Sequence, residues 1–116
     1  MAFGKVDTTV LASLCAALDQ GDVLTGHDDL QHYGHDETED LVHPPEVVVR
    51  PRSTAEVARI VKVCAEHLIP ITPIGGRTGL SGGALSVHGG VGLALDRMDK
   101  IEHIDERNLQ VTVQPG

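Results

Sequence analysis

Aromatic side chains are nearly absent from this chain of 116 residues, which contains one Phe, one Tyr and no Trp. Any hydrophobic core must therefore be aliphatic, built from Val, Leu, Ile and Ala. Long apolar runs are also missing, and none approaches the roughly 18 residues that a membrane-spanning helix needs. Because 41% of the residues are apolar and 22% are charged, the composition is still that of a globular domain with one modest core.

Basic residues and cysteines are scarce. Nine Lys and Arg against 17 Asp and Glu give a net charge of −8, without a local basic stripe, so the phosphate backbone of a nucleic acid would be repelled. Cys15 and Cys64 fall where apolar helix faces are expected, which favours small buried hydrophobes over a disulfide. This use of cysteine predicts a reducing compartment, the cytoplasm.

The first 43 residues predict one helix followed by a polar connection. Thr8 and Thr9 are good N-cap residues, apolar positions recur at helical spacing up to Leu18, and Gly21 follows as a stop signal. Residues 27–43 are acidic and rich in His, without a sustained period, and are expected to form an exposed connection with at most one helical turn. We therefore divide the chain into residues 1–43 and 44–116.

Residues 47–74 predict a strand, a helix and a second strand. Val47–Val49 is a β-branched run between prolines, typical of a strand buried on both faces. Ser53 and Glu56 form a capping-box pattern that opens a helix with one apolar side, and Ile71–Ile74 follows as a second buried strand. A parallel pair joined by a helical crossover is expected. The positions of the apolar side are Val57, Ile60, Val61, Cys64 and Leu68.

A glycine-rich loop follows the second strand, with five glycines in residues 75–83. Glycine lets a ligand approach the main chain closely, and successive N–H groups turned into one concavity bind anions. Thr78 and Ser81 add hydroxyl donors, and Arg77 adds a charged one. The spacing matches neither the dinucleotide fingerprint nor the P-loop, and no amphipathic helix begins at Gly83. The alternative is a flexible connection whose glycines only make turns.

Three further strands complete an α+β pattern. Gly89 and Gly90 precede a strand at 91–95, and the segments 101–104 and 109–113 predict a hairpin with its bend at 106–108. The chain stops soon after the last strand. A compact domain would still need sheet neighbours there.

Residues 47–84 carry a resemblance to a known family. Their pattern, a strand ending in Pro, a capped helix, and a Pro-bounded strand leading into Gly-Gly-x-Thr-Gly-Leu-x-Gly-Gly, is similar to the opening of the FAD-binding domain in the vanillyl-alcohol oxidase and p-cresol methylhydroxylase superfamily. The branch of these FAD-linked oxidases that contains glycolate oxidase and D-lactate dehydrogenase is the most similar. Tyr33 and Asp36 match its Tyr-x-x-Asp, and the segments 91–98 and 111–116 also fit.

The resemblance implies the first subdomain of an FAD-binding domain of the p-cresol methylhydroxylase type, with a small mixed sheet. It implies FAD as cofactor and a small 2-hydroxy acid, such as D-lactate or glycolate, as substrate of the intact oxidoreductase. Arg77 departs from the Gly or Asn of many members, and Gly116 is a weaker contact candidate. Acid and base residues would lie outside this chain, which we expect to be an N-terminal portion, inactive by itself. The implied contacts to FAD are Gly75, Gly76, Arg77, Thr78, Gly79, Leu80, Ser81 and Gly82.

Three other interpretations stay open at this level. The chain alone could be a non-catalytic fragment that does not hold FAD and self-associates through an exposed sheet edge. His32 and His35 have a spacing that suits one helical turn and could ligate a metal, although a solvated acidic face fits better. His67 is expected to cap a helix rather than to act in catalysis.

Overall fold

The computed structural model describes residues 2–116 as an α+β fold, in agreement with the predicted class. Three helices and six strands occur in this part of the chain. The helices are α1 (Thr8–Ala16), α2 (His27–His32) and α3 (Thr54–Glu66), and the strands are β1 (Asp22–Leu24), β2 (Val47–Arg50), β3 (Ile71–Ile74), β4 (Val91–Ala94), β5 (Ile101–Asp105) and β6 (Gln110–Val113).

The N-cap of helix α1 lies one residue before Thr8 and Thr9, the two predicted N-cap residues. Asp7 is the N-cap, with an extended backbone and an Oδ1 that accepts from the Val10 amide at 2.8 Å, so Thr8 and Thr9 lie inside the first turn. The helix ends at Ala16, well before Gly21. Gly21 has a packing role instead, because a Cβ there would lie 2.4 Å from the Arg50 carbonyl oxygen.

The central sheet has the order β1-β2-β4-β3. Strands β2 and β3 are both parallel to β4, so the predicted parallel relation is correct but their direct pairing is wrong. Strand β1, which the sequence pattern does not indicate, pairs antiparallel with β2. The prediction that Ile71–Ile74 is a buried strand is wrong, because β3 lies at the edge, where only Ile74 is buried. Pro73 is exposed, which fits the confinement of strand prolines to edges.

Both faces of the sheet are covered near its centre. Val47 and Val49 pack with α1 and α3 in the larger core cluster, whereas Val48 packs with Tyr33 and Ile74 on the opposite face. The prediction that Val47–Val49 is buried on both sides is therefore confirmed.

Two of the predicted apolar helix positions and one cysteine differ from the sequence expectation. Ile60 and Cys64 are buried, but Val61 of α3 is 44% exposed. Leu68 is 56% exposed because it lies beyond the end of α3 at Glu66, where its backbone is left-handed (φ 55°). Cys64 is buried as expected, and burial raises the pKa of its thiol to about 11. Cys15 is exposed, and both cysteines are free.

The hairpin of β5 and β6 forms a separate two-stranded sheet, as the sequence predicts. Its base is tied to the preceding segment by hydrogen bonds from the Gln114 amide to the Lys100 carbonyl (2.9 Å) and from the Gly116 amide to the Met98 carbonyl (2.8 Å). Its strands expose several large apolar side chains.

None of the helices in residues 2–116 has the length and apolar character that crossing a membrane requires.

Candidate functional site

The glycine loop, residues 75–83, is the first part of the connection from β3 to β4, which runs over residues 75–90. It begins at the carboxyl end of β3, and the carboxyl ends of β2 and β4 lie at the same edge because these three strands are parallel. Ligands of open sheets with parallel strands bind outside this edge. No helix interrupts residues 75–90, in agreement with the prediction that none begins at Gly83.

The glycines of this loop differ from those that the fold needs for packing. A Cβ on Gly90 would lie 2.2 Å from the Pro70 carbonyl oxygen, and one on Gly92 would lie 3.0 Å from the Ile74 side chain. A Cβ on Gly75, Gly76 or Gly83 would meet nothing within 4 Å. Contacts within residues 2–116 therefore do not require glycine at these three positions, and the main chain there is open to an incoming group.

The main-chain donors of the loop are also free. Among the hydrogen bonds within residues 2–116, none has the amide of any residue from 75 to 81 as its donor. Two left-handed backbone conformations bend the loop, at Arg77 (φ 59°) and Gly82 (φ 75°), and such reversals turn successive amides toward a common side. Because backbone donors are normally paired unless they face solvent or a ligand, the loop can offer several N–H groups to an anion.

The Arg77 side chain anchors the loop to α2. Its Nη1 donates to the His32 carbonyl oxygen, and its Nη2 lies 2.9 Å from His32 Nε2. The guanidinium carbon lies 5.4 Å from the centre of the Tyr33 ring, within the range of a cation–π contact. These contacts hold the cation beside the end of α2. The pattern offered no signal for the His32 contact, which joins residues 45 apart in sequence.

Tyr33 and Asp36, which match the family pattern, both lie in the structure beneath or beside the loop. Tyr33 is buried, and its hydroxyl donates to Asp96 Oδ2 at 2.6 Å. Burial, followed by the bond to Asp96, raises the pKa of Tyr33. Asp36 is also buried, and the next residue in sequence, Glu37, donates its amide to the Gly79 carbonyl at 3.1 Å. The segment 33–38 thus supports the loop from its protein side.

The remaining loop side chains face outward. Thr78 and Ser81 are exposed, so that their hydroxyls are accessible, and Leu80 is 75% exposed. Gly116 lies near the same edge of the sheet, because a Cβ there would lie 1.9 Å from the carbonyl oxygen of Leu95, and the Leu95 amide donates to Ile74 just before the loop. The Gly116 amide already donates to Met98. Packing of the chain accounts for glycine at that position.

The histidine-rich segment contains the single short helix that the pattern allowed, α2. Within residues 2–116, no group of three or more His, Cys, Asp or Glu side chains is arranged to hold a metal ion. His67 is the C-cap residue of α3, as predicted.

Comparison with known proteins identifies a family that matches most of this chain. The family described as "FAD binding domain" matches residues 45–116. D-lactate dehydrogenase of Anaerostipes hadrus is 47% identical over 90 residues, and glycolate oxidase subunit GlcD of Bacillus subtilis is 44% identical over 84 residues. These alignments cover 78% and 72% of this chain, but 18% of each relative.

A solved structure is similar to this chain in three dimensions. The crystal structure of p-cresol methylhydroxylase with substrate bound superposes with a TM-score of 0.78 at 34% sequence identity. The match covers 93% of this chain and 22% of that one. The chain therefore spans about a fifth of the length of the proteins it matches.

Proposed function

The chain belongs to the FAD binding domain family, and from this premise we propose that its glycine loop binds the diphosphate of FAD. The observation that carries the proposal is the run of amides at residues 75–81 that have no acceptor within residues 2–116. A diphosphate is an anion with several acceptor oxygens, and it suits a concave set of backbone donors.

The residues present fit this group. The open main chain at Gly75 and Gly76 leaves room for phosphate oxygens to approach the amides, and the hydroxyls of Thr78 and Ser81 are short donors at the same surface. Leu80 offers an exposed apolar side chain for an uncharged part of the cofactor. Arg77 contributes charge to the loop while its guanidinium stays bonded to His32. The proposed contacts are Gly75, Gly76, Arg77, Thr78, Gly79, Leu80, Ser81 and Gly82.

The activity we propose for the intact protein is oxidation of a 2-hydroxy acid of the D-lactate or glycolate type. Support comes from two of its relatives, which are a D-lactate dehydrogenase and a subunit of a glycolate oxidase. FAD, when bound, supplies the acceptor for the hydride that leaves the substrate. The role of the described residues is to bind and orient the cofactor and to neutralise its charge, and we assign none of them to catalysis.

The test of FAD binding is a substitution in the open part of the loop. Gly76→Val adds a side chain that meets no atom of the chain within 4 Å of its Cβ, so the fold should be preserved while the phosphate oxygens are excluded. We expect flavin fluorescence titration to show at least a tenfold weaker affinity, with an unchanged melting temperature. Gly83→Val is the matched control, since it is equally open but lies outside the proposed contacts. Equal affinity of both variants and the unmutated chain would refute the assignment.

A second candidate function rests on the β5–β6 hairpin. Ile101 pairs with Val113 and Ile104 pairs with Val111, so four exposed apolar side chains share one face, and Leu109 beside them is 91% exposed. Exposed apolar faces favour association, and the alternative is therefore a non-catalytic chain that binds no FAD and self-associates. Size-exclusion chromatography with flavin fluorescence separates the candidates, because a yellow monomer contradicts this one and a colourless oligomer supports it.

Two further assignments are proposals of the same kind. The boundary between residues 43 and 44 is supported by the family match, which begins at residue 45. A cytoplasmic location is supported by two free cysteines, since thiols persist in reducing compartments.

A further inference from the structure

Asp36 contains a carboxylate oxygen whose bonding is incomplete. The residue is 8% exposed, and its Oδ1 accepts from the Thr38 amide at 2.8 Å. Its Oδ2 is buried and has no hydrogen-bond partner. Burying an acceptor of this kind without a donor is unfavourable, and more so when the group is charged.

The unpartnered oxygen lies against the glycine loop. A Cβ built on Gly79 would lie 4.0 Å from Asp36 Oδ2, and the neighbouring Glu37 amide binds the Gly79 carbonyl. The pKa of Asp36 is lowered, chiefly by the Thr38 amide and also, among weaker contributions, by the Gly82 amide. The carboxylate thus interacts with the second half of the loop, from the protein side.

We propose that Asp36 is a positioning residue for the glycine loop: Oδ2 is the acceptor that draws in the Gly82 amide at the end of the loop, which leaves the amides of residues 75–81 directed at the ligand. Because Oδ2 is buried beside Gly79, its missing donor is a loop amide rather than the ligand itself. The identity of the ligand, the diphosphate of FAD, rests on the proposed function. The orientation of the loop by Asp36 can be measured without any ligand.

The variant that tests the proposal is Asp36→Asn. The Asn side chain keeps the shape and one oxygen for the Thr38 amide, but places either an NH2 group or an uncharged oxygen toward the loop. We expect amide hydrogen exchange of Gly82, measured by NMR without FAD, to become about tenfold faster, as the loss of the proposed hydrogen bond to a charged group implies. FAD affinity should fall by about the same factor. Glu39→Gln, an exposed neighbour in the same segment, should change neither.

The outcomes separate this inference from the proposed function. Exchange and affinity that stay unchanged in a folded Asp36→Asn variant, or a tighter affinity, would overturn the positioning role. Faster loop exchange in a chain that binds no FAD would support the positioning role and reject the cofactor assignment. If the Asp36→Asn variant does not fold, an acid titration of the unmutated chain tests the positioning role instead. Its Gly82 amide shift should then follow an acid titration with a midpoint below the ordinary Asp value, and a flat response would count against the proposal.

Discussion

Glu56 provides the sharpest stability prediction, because a buried carboxylate holds two distant parts of the chain together. Its side chain is 1% exposed. Oε2 accepts from the amides of Asp19, Gln20 and Gly21 at 2.7, 3.1 and 3.1 Å, and Oε1 accepts from the Arg52 amide at 2.8 Å. We expect Glu56→Gln to loosen the connection between the turn after α1 and the start of α3, because the NH2 group of Gln faces amide donors.

The magnitude follows from the pKa of Glu56. Burial alone raises this pKa, but the four amides outweigh burial and bring it from 4.5 to about 2. A depressed pKa means that the ionised form stabilises the fold above the pKa of the unfolded chain, and that this stability is lost as the pH falls from about 4.5 toward 2. The difference corresponds to about 3 kcal/mol at pH 7, which is on the order of 10 °C in melting temperature for a domain of this size.

The assay is urea unfolding followed by circular dichroism from pH 7 to pH 3. The free energy of unfolding of the unmutated chain should exceed that of Glu56→Gln by about 3 kcal/mol at pH 7, and the gap should narrow below pH 4.5. Glu66→Gln, an exposed position in the same helix, is the control and should lie close to the unmutated chain throughout. A gap that keeps its full size down to pH 3 would refute the electrostatic reasoning.

Two other predictions concern the glycines that flank the strands and the support of the loop. Gly90→Ala should destabilise the chain by more than about 1 kcal/mol, since its φ is +72° and its Cβ would lie 2.2 Å from the Pro70 carbonyl oxygen. Gly75→Ala should leave the melting temperature within about 2 °C, and equal effects of the two substitutions would contradict this division of the glycines. Tyr33→Phe should cost about 1 kcal/mol in unfolding free energy through the loss of the bond to Asp96. An equal loss in Tyr33→Phe when Asp96 has already been changed to Ala would show that this bond is not the cause.

Local patterns account for most of the secondary structure. Ser53 predicts the start of α3 because its hydroxyl is a strong N-cap, and the structure has Ser53 Oγ accepting from the Glu56 amide. The reciprocal bond of the capping box is altered, since Glu56 accepts from Arg52 and from the turn after α1 rather than from Ser53. Only the packing of that turn against α3 creates the second set of donors.

Strand neighbours are the part of the fold that local patterns missed. Strand β1 has three residues, of which none is fully buried, so it carries no alternation that a sequence pattern could reveal. Its pairing with β2 is a long-range event. The insertion of β4 between β2 and β3 likewise joins segments that lie far apart in the sequence, and no local pattern specifies it.

The amino-acid sequence by itself determined the glycine loop, its hydroxyl and cationic side chains, the helix α3 and the aliphatic strands around them, because these features depend on neighbours within a few positions. The tertiary structure alone decided which glycines are open, that Arg77 binds His32, and that Asp36 lies beneath Gly79 with one oxygen unpaired. Such contacts join residues that lie far apart in the sequence, and their energies exist only once the chain has folded and water has been removed from around the partners.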